Sequence, residues 1–334
     1  MPIVNIDIFD IILAMKVHVL ALDGIFDTGL ATVLDVFTTA NELAEMSGLT
    51  SSRFDVKIVG VRKGVRTSQG LSVPVVAAAG LAPPDWVIVP ALGCKLPTTL
   101  QTALVRPDVC EAVRALRRWV DRGAVIGAAC TGTFVIAESS LLDNQEATTT
   151  WWLAPLFRQR YPKVRLDESR MIINSAQFVT AGAALSHLDM ALWMIRQISP
   201  ELATLTAKYL IVDTRPSQAI YAIPDHLAHA DPLVERFERW ARERLARGFS
   251  LEEAARATAT SKRTLARRMR EVLGKSPLSY FQDLRVERAV HMLETSDLSI
   301  DEIASMVGYA DGVTLRALLR RRLGRGVREL RPRQ

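Results

Sequence analysis

The sequence predicts an α/β sandwich with a mostly parallel, flavodoxin-like sheet, followed by an all-α domain with two helix-turn-helix units. Three observations lead there. Short apolar runs alternate with helix-period segments in the first half, the pattern of strands and crossover helices layered on one sheet. Toward the C-terminus, two pairs of short helices recur about 50 residues apart, each ending in a cation-rich second helix. Charge divides along the same line: residues 233–334 hold 22 Lys and Arg against 14 Asp and Glu, a net +8. Taken from the totals of 42 and 36, this leaves 20 against 22, a net −2, for residues 1–232. A chain of 334 residues is long for one small core, so two domains are expected.

Residues 1–15 read as an N-terminal extension. They are apolar, but Asp7 and Asp10 interrupt them and no basic start precedes them, so they fit neither a signal peptide nor a membrane span. Residues 16–22 are a short apolar run of the kind buried in parallel sheets. Leu30, Val33, Leu34, Phe37 and Leu43 then recur at helical spacing, predicting a helix over 28–46. Residues 54–59 are the next strand, and 71–75 an edge piece because of Pro74. A strand over 86–89 ends at Pro90 and Gly93. An amphipathic helix over 108–122 and a buried strand over 124–128 follow, and helices over 183–197 and 200–211 close the domain. Three cysteines cannot all pair, which points to a reduced, cytoplasmic setting.

The richest site of this half is Gly-Ala-Ala-Cys-Thr-Gly-Thr-Phe at 127–134. An apolar strand runs directly into Cys130, small residues flank it, and a helix begins at once. Such a turn lifts a thiol over the carboxyl edge of the sheet, with the helix N-terminus near enough to lower its pKa. The alternative is a buried Cys packed as a small hydrophobe.

On these residues, 16–215 resembles the class I glutamine amidotransferase-like (PfpI-type) domain. The tract Cys-Thr-Gly-Thr-Phe-Val-Ile-Ala-Glu-Ser-Ser-Leu-Leu-Asp at 130–143, with Ala-Thr-Thr-Thr-Trp at 147–151, resembles that of the GlxA-like regulators of the AraC family. In the enzymatic relatives the Cys is paired with a His, and often with an acidic residue near the first strand. Many GlxA-like regulators have a His where this chain has Thr150. A Thr hydroxyl cannot accept a proton near pH 7, so the usual base for nucleophilic catalysis is missing. The resemblance therefore implies a sensing or dimerising domain on an enzyme's scaffold, with Cys130 as a vestigial nucleophile. His187 is the other nearby base, and a lone His beside an apolar helix is more often capped or packed. Asp23 or Asp27, after the first strand, stands where the acidic partner is expected. Gly93 and Cys94 follow the strand end that contributes an oxyanion amide in that fold. With Thr131, Thr150 and Trp151, these residues form the expected ligand pocket.

The second domain resembles the AraC DNA-binding module. Asp231-Pro232 suits a helix start, with Asp as N-cap and Pro at the first position, and a helix over 233–247 follows. Leu251, Ala254, Ala255 and Thr258 mark a short helix. A tight connection at Ala259-Thr260 leads to a basic helix capped by Ser261 and closed near Gly274. A long helix over 278–293 leads to a second pair, with Ile300, Ile303, Ala304 and Val307 on the first helix and 314–322 as the second. Side-chain direction turns Ser261, Lys262, Arg263, Thr264 and Arg267 outward in the first unit, and Asp311, Val313, Thr314 and Arg316 in the second, with Arg320 and Arg321 suited to phosphate. The second unit departs from the family: Leu315 and Leu319 stand where Phe is usual, and Val327 where Pro is.

These readings give an extension (1–15), a sensing or dimerising domain (16–215), a linker (216–232) with proline breaks, and a DNA-binding domain (233–334). The expected partners are operator DNA, a small-molecule effector, a second copy of the chain and RNA polymerase, without a membrane. No metal or cofactor is expected, and the location is cytoplasmic, on the nucleoid when DNA is bound. The rivals are a cysteine-dependent hydrolase or amidotransferase carrying a basic tail, and a non-specific nucleoid protein.

Overall fold

Val17 and Val19, fully buried on β1 (Met15–Ala21), lie at the middle of the sheet that organises the first half. A computed structural model describes residues 14–49, 53–213, 215, 217–218, 231–323 and 326–331. Most of the expected extension and linker, residues 1–13 and 219–230, lies outside the described residues. Contacts group Met1–Leu142 with Ile172–Thr214 in one compact unit, and Asp143–Met171 with Arg215–Gln334 in another.

The first half runs α1 (Asp27–Met46), β2 (Phe54–Gly60), β3 (Val65–Arg66), β4 (Ser72–Val73), β5 (Val76–Ala77), β6 (Trp86–Val89), α2 (Pro97–Leu104), α3 (Pro107–Val120), β7 (Val125–Ala129) and α4 (Gly132–Glu138). Next come β8 (Glu146–Ala147), a 3-10 turn (Trp151–Leu153), α5 (Ala154–Arg160), β9 (Arg165–Leu166), β10 (Ile172–Ser175), β11 (Phe178–Ala181), α6 (Ser186–Ile198) and α7 (Pro200–Tyr209). The sheet has the order β10-β11-β7-β6-β1-β2-β5, parallel throughout except for β10. The apolar stripe of α1 (Val33, Phe37, Ala40) packs with Met190, Met194 and Ile195 of α6 against one sheet face.

Two expectations shift. The edge piece at 71–75 is split at Pro74: β4 makes a small hairpin with β3, and β5 alone joins the large sheet. The β10–β11 hairpin and α2 carried no sequence signal that we read.

The second half continues with α8 (Pro232–Arg242), α9 (Leu251–Ala257), α10 (Lys262–Leu273), α11 (Pro277–Thr295), α12 (Ile300–Met306), α13 (Gly312–Leu323) and α14 (Val327–Leu330). Phe237, Trp240, Phe249, Tyr280 and Phe281 form one aromatic cluster, its paired ring centroids 5.2–6.5 Å apart. Fully burying a ring such as Phe237 or Phe281 contributes about 1.5–3 kcal/mol. Leu293, Ile303, Ala304, Leu315 and Leu319 form a further core around α11–α13, so Leu fills the positions where the resemblance expects Phe. Residues 243–247 leave the helix expected to reach 247. Arg285 of α11 donates Nε–H to the Leu245 carbonyl (2.9 Å) and Nη2–H to that of Arg247 (2.6 Å), which draws these carbonyls away from a helical ladder. Its guanidinium also lies over the rings of Phe281 (4.8 Å) and Tyr309 (5.1 Å). The turn between α12 and α13 crosses this group at Gly308 (φ 80°), where a Cβ would run into the guanidinium.

Candidate nucleic-acid interface and thiol elbow

At the carboxyl edge of the first unit's sheet, β7 passes into Cys130, held at φ 55°, a left-handed conformation uncommon outside glycine. Its N–H donates to the Ala181 carbonyl (3.0 Å), and the residue is 4 % exposed. Thr131 Oγ1 donates to the Leu92 carbonyl (2.7 Å). At Gly132 a Cβ would strike the Val89 carbonyl oxygen, so the turn admits only glycine. These contacts clamp the elbow to the loop after β6.

His187 joins the same edge. It is fully buried; Nδ1–H donates to the Ala184 carbonyl (2.6 Å), and Nε2 accepts from the Ala91 N–H (3.0 Å). A Cβ on Gly29 of α1 would overlap the ring. Burial drives the imidazole pKa down to about 4, against the opposing pull of the Ala184 carbonyl. Both ring nitrogens are engaged by main chain, so His187 acts as a cross-link between α6 and the β6 loop.

The two acidic candidates fasten loops. Asp23 accepts from the Arg66 N–H (3.0 Å), and its own main chain meets Arg106 and Asp108. Asp27 accepts from Ser68 Oγ (2.8 Å) and the Gln69 N–H (3.1 Å). Burial works to raise its pKa, but the Thr67 and Ser68 hydroxyls and the Gln69 amide outweigh it and hold the carboxyl below its ordinary value. Gly93 donates to the Gly24 carbonyl (2.7 Å) and lies where a Cβ would meet Ser68. Burial pushes the half-exposed Cys94 thiol up, against Thr99 and Arg106. Asp27, Ser68, Gly93, Leu92, Thr131 and the elbow thus form one chain of contacts. Thr150 and Trp151 fall in the other unit: Thr150 is fully buried at the start of the 3-10 turn, and Trp151 meets Trp152 edge-to-face at 5.5 Å. No group of three His, Cys, Asp or Glu suited to a metal occurs among the described residues.

In the second unit, Ser261 accepts from the Thr264 N–H (3.1 Å) to start α10, and Gly274 ends it at φ 67°. The turn before α10 has Ala259 at φ 53°. Leu265, Met269, Val272 and Leu273 face the core, which leaves Ser261, Lys262, Arg263 and Arg267 exposed. Lys262 pairs with Glu252 (3.6 Å) and Arg267 with Glu271 (2.7 Å), both between well-exposed side chains that part at little cost. Arg263 and Arg270 are in no ion pair among the described residues. Arg268 differs: Nε–H donates to Asp231 Oδ2 (2.6 Å), tying α10 to the N-cap of α8.

The second reader repeats this division. Asp311 Oδ1 accepts from the Thr314 N–H (2.7 Å) and caps α13. Val313, Thr314, Arg316, Ala317, Arg320 and Arg321 are exposed, and among the described residues none of these arginines is in an ion pair. Arg322 turns back to Asp283 (3.1 Å) and Gln282 (3.2 Å) of α11. The structural roles of Arg268 and Arg322 escaped the sequence reading, since their partners are distant in the chain.

The model of the DJ-1/PfpI family matches residues 15–197, and that of a helix-turn-helix domain matches 254–333. The HTH-type transcriptional regulator GbdR of Pseudomonas aeruginosa is 26 % identical over 294 residues, covering 87 % of this chain and 77 % of that protein. The HTH-type transcriptional regulator GlxA of Rhizobium meliloti is 25 % identical over 301 residues, covering 82 % and 84 %. A ThiJ/PfpI family protein from Pseudomonas syringae shares the fold, with a TM-score of 0.51 at 17 % identity over 72 % of this chain and 93 % of that one. With the elbow, the parallel sheet and a family match over more than half its length, the chain belongs to the DJ-1/PfpI family, and it carries a C-terminal helix-turn-helix domain.

Proposed function

We propose that this chain is a sequence-specific transcriptional regulator that reads double-stranded DNA with α10 and α13. The observation that carries the reading is the pair of helix-turn-helix units joined by the 19-residue α11, each presenting exposed arginines that no carboxylate among the described residues engages. At about 1.5 Å per residue α11 spans about 28 Å, suited to seating two readers in successive major grooves about 34 Å apart. The relatives GbdR and GlxA, both HTH-type transcriptional regulators, support this reading.

Base edges fall to Ser261, Lys262, Arg263, Thr264 and Arg267 in the first unit and to Asp311, Val313, Thr314 and Arg316 in the second, with Arg320 and Arg321 on phosphate. Residues 16–215 form a sensing or dimerising domain, 216–232 a linker and 233–334 the reader. The PfpI-type part does not catalyse in this reading: Thr150 replaces the usual His, and both nitrogens of His187 are engaged by main chain. An effector, a second copy and RNA polymerase are its partners in the cytoplasm. Retention of genomic fragments on the purified full-length chain, followed by their sequencing, tests the reading. Fragments sharing one motif support it, and a random sample of the genome overturns it.

A further inference from the structure

Val313 is an anomaly on the second reader. It is 69 % exposed, though a valine gains by burial, and it sits in the first turn of α13, the part of a reading helix that approaches base edges. Among the described residues Val313 is not part of the core around α11–α13. Its placement is nevertheless fixed. Asp301 Oδ1 accepts from the Gly312 N–H (2.8 Å), Asp311 Oδ1 accepts from the Thr314 N–H (2.7 Å), and a Cβ at Gly312 would crowd Asp301 and Ile300. A β-branched side chain on a helix holds essentially one rotamer, so its methyl groups have a set direction. Ala317, one turn on, is exposed on the same face.

The surroundings select the occupant. Arg316, Arg320 and Arg321 flank this apolar strip, exposed and in no ion pair among the described residues, which complements a polyanion. The polar groups at the tip are otherwise engaged: the Asp311 carboxylate caps the helix, and the Thr314 hydroxyl bonds to it. Beside the Arg316 guanidinium, what remains at the tip to meet a base edge is methyl groups. In the major groove the one apolar feature is the C5 methyl of thymine.

Resting on the DNA-binding reading above, we propose that the second reading helix recognises thymine through its C5 methyl group, with Val313 and Ala317 as the contact. The two readers then use different chemistry. The first presents lysine and arginine donors, suited to guanine and phosphate, and the second adds to Arg316 an apolar contact that selects one or two thymines.

The test uses the full-length chain and an operator fragment obtained by selection. Each thymine is replaced singly by deoxyuridine, which removes the methyl and keeps every hydrogen-bonding group. At one or two positions in the block bound by α13, affinity of the unaltered chain should fall about three- to fivefold, the loss for one buried methyl. Val313→Ala, at an exposed position that leaves both capping bonds in place, should bind the thymine operator about that much more weakly and lose its sensitivity to deoxyuridine there. If no thymine responds, or if the variant keeps the full deoxyuridine penalty, the proposal is overturned while the DNA-binding reading stands. If selection yields no preferred sequence, it is the DNA-binding reading that fails.

Discussion

His187 Nε2 accepts a hydrogen bond from the main-chain N–H of Ala91 at 3.0 Å, and this joins the start of α6 to the loop that clamps the Cys130 elbow. Accepting there requires the neutral ring, which burial favours by holding the pKa near 4. In the unfolded chain the imidazole titrates near 6.5. The folded value is the lower one, so its contribution is complete above about pH 6.5 and is lost as pH falls toward 4. A shift of that size corresponds to about 3 kcal/mol. Urea unfolding of the full chain from pH 7.5 to 4.5 should show stability falling through this window, with a flatter profile for His187→Asn. Equal slopes for the two proteins would remove His187 from the account.

Asp231 gives a second acid-sensitive point, in the other unit. Burial works to raise its pKa, but the Arg268 hydrogen bond and the Val234 and Leu233 amides outweigh that and hold it below its ordinary value. A depressed carboxyl contributes its full stability above about pH 4 and loses it as pH falls through the lower, folded pKa. Asp231→Ala removes a helix cap and the partner of Arg268, and should cost about 1–3 kcal/mol in thermal unfolding at pH 7. A cost within ±0.5 kcal/mol, typical of a surface site, would contradict the geometry.

How much of this was legible in the sequence depended on how local the chemistry is. Ser261 and Gly274 announced both ends of α10, because a side-chain cap and a left-handed glycine act within one turn. The Cys130 elbow was legible because an apolar run met a row of small residues. The β10–β11 hairpin was not: its turn places Ala176 at φ 52°, where glycine or asparagine would have signalled it. Arg268 and Arg322 had no assigned role in the sequence, since nothing in helical spacing points to Asp231 or Asp283. The neutral, fully engaged state of His187 likewise depends on carbonyls and amides brought in by the fold.

Arginines of the two readers should separate by substitution. Arg263→Ala and Arg267→Ala should each weaken specific binding by about 1–3 kcal/mol if they read bases. Arg320→Ala and Arg321→Ala should weaken operator and random DNA alike and each lower the salt dependence by about one counterion. Anisotropy titrations at several salt concentrations distinguish the two patterns. Equal loss on operator and random DNA for Arg263→Ala would assign it to phosphate.

Cys130→Ser should leave effector-free DNA binding unchanged, and the purified chain should not turn over amide, ester or glyoxal-type substrates. Without a proton shuttle, thiol acyl transfer loses about 10²–10⁴-fold. Steady multiple turnover, abolished in Cys130→Ala, would reverse the non-catalytic reading.

The most direct test of the central claim is selection of a random duplex library by the full-length chain at physiological salt. The account predicts an enriched motif of two conserved blocks centred about 10–10.5 bp apart, one helical turn, with the block contacted by α13 containing thymine. Recovery of sequences with no common motif, bound as tightly as the starting library, would contradict it.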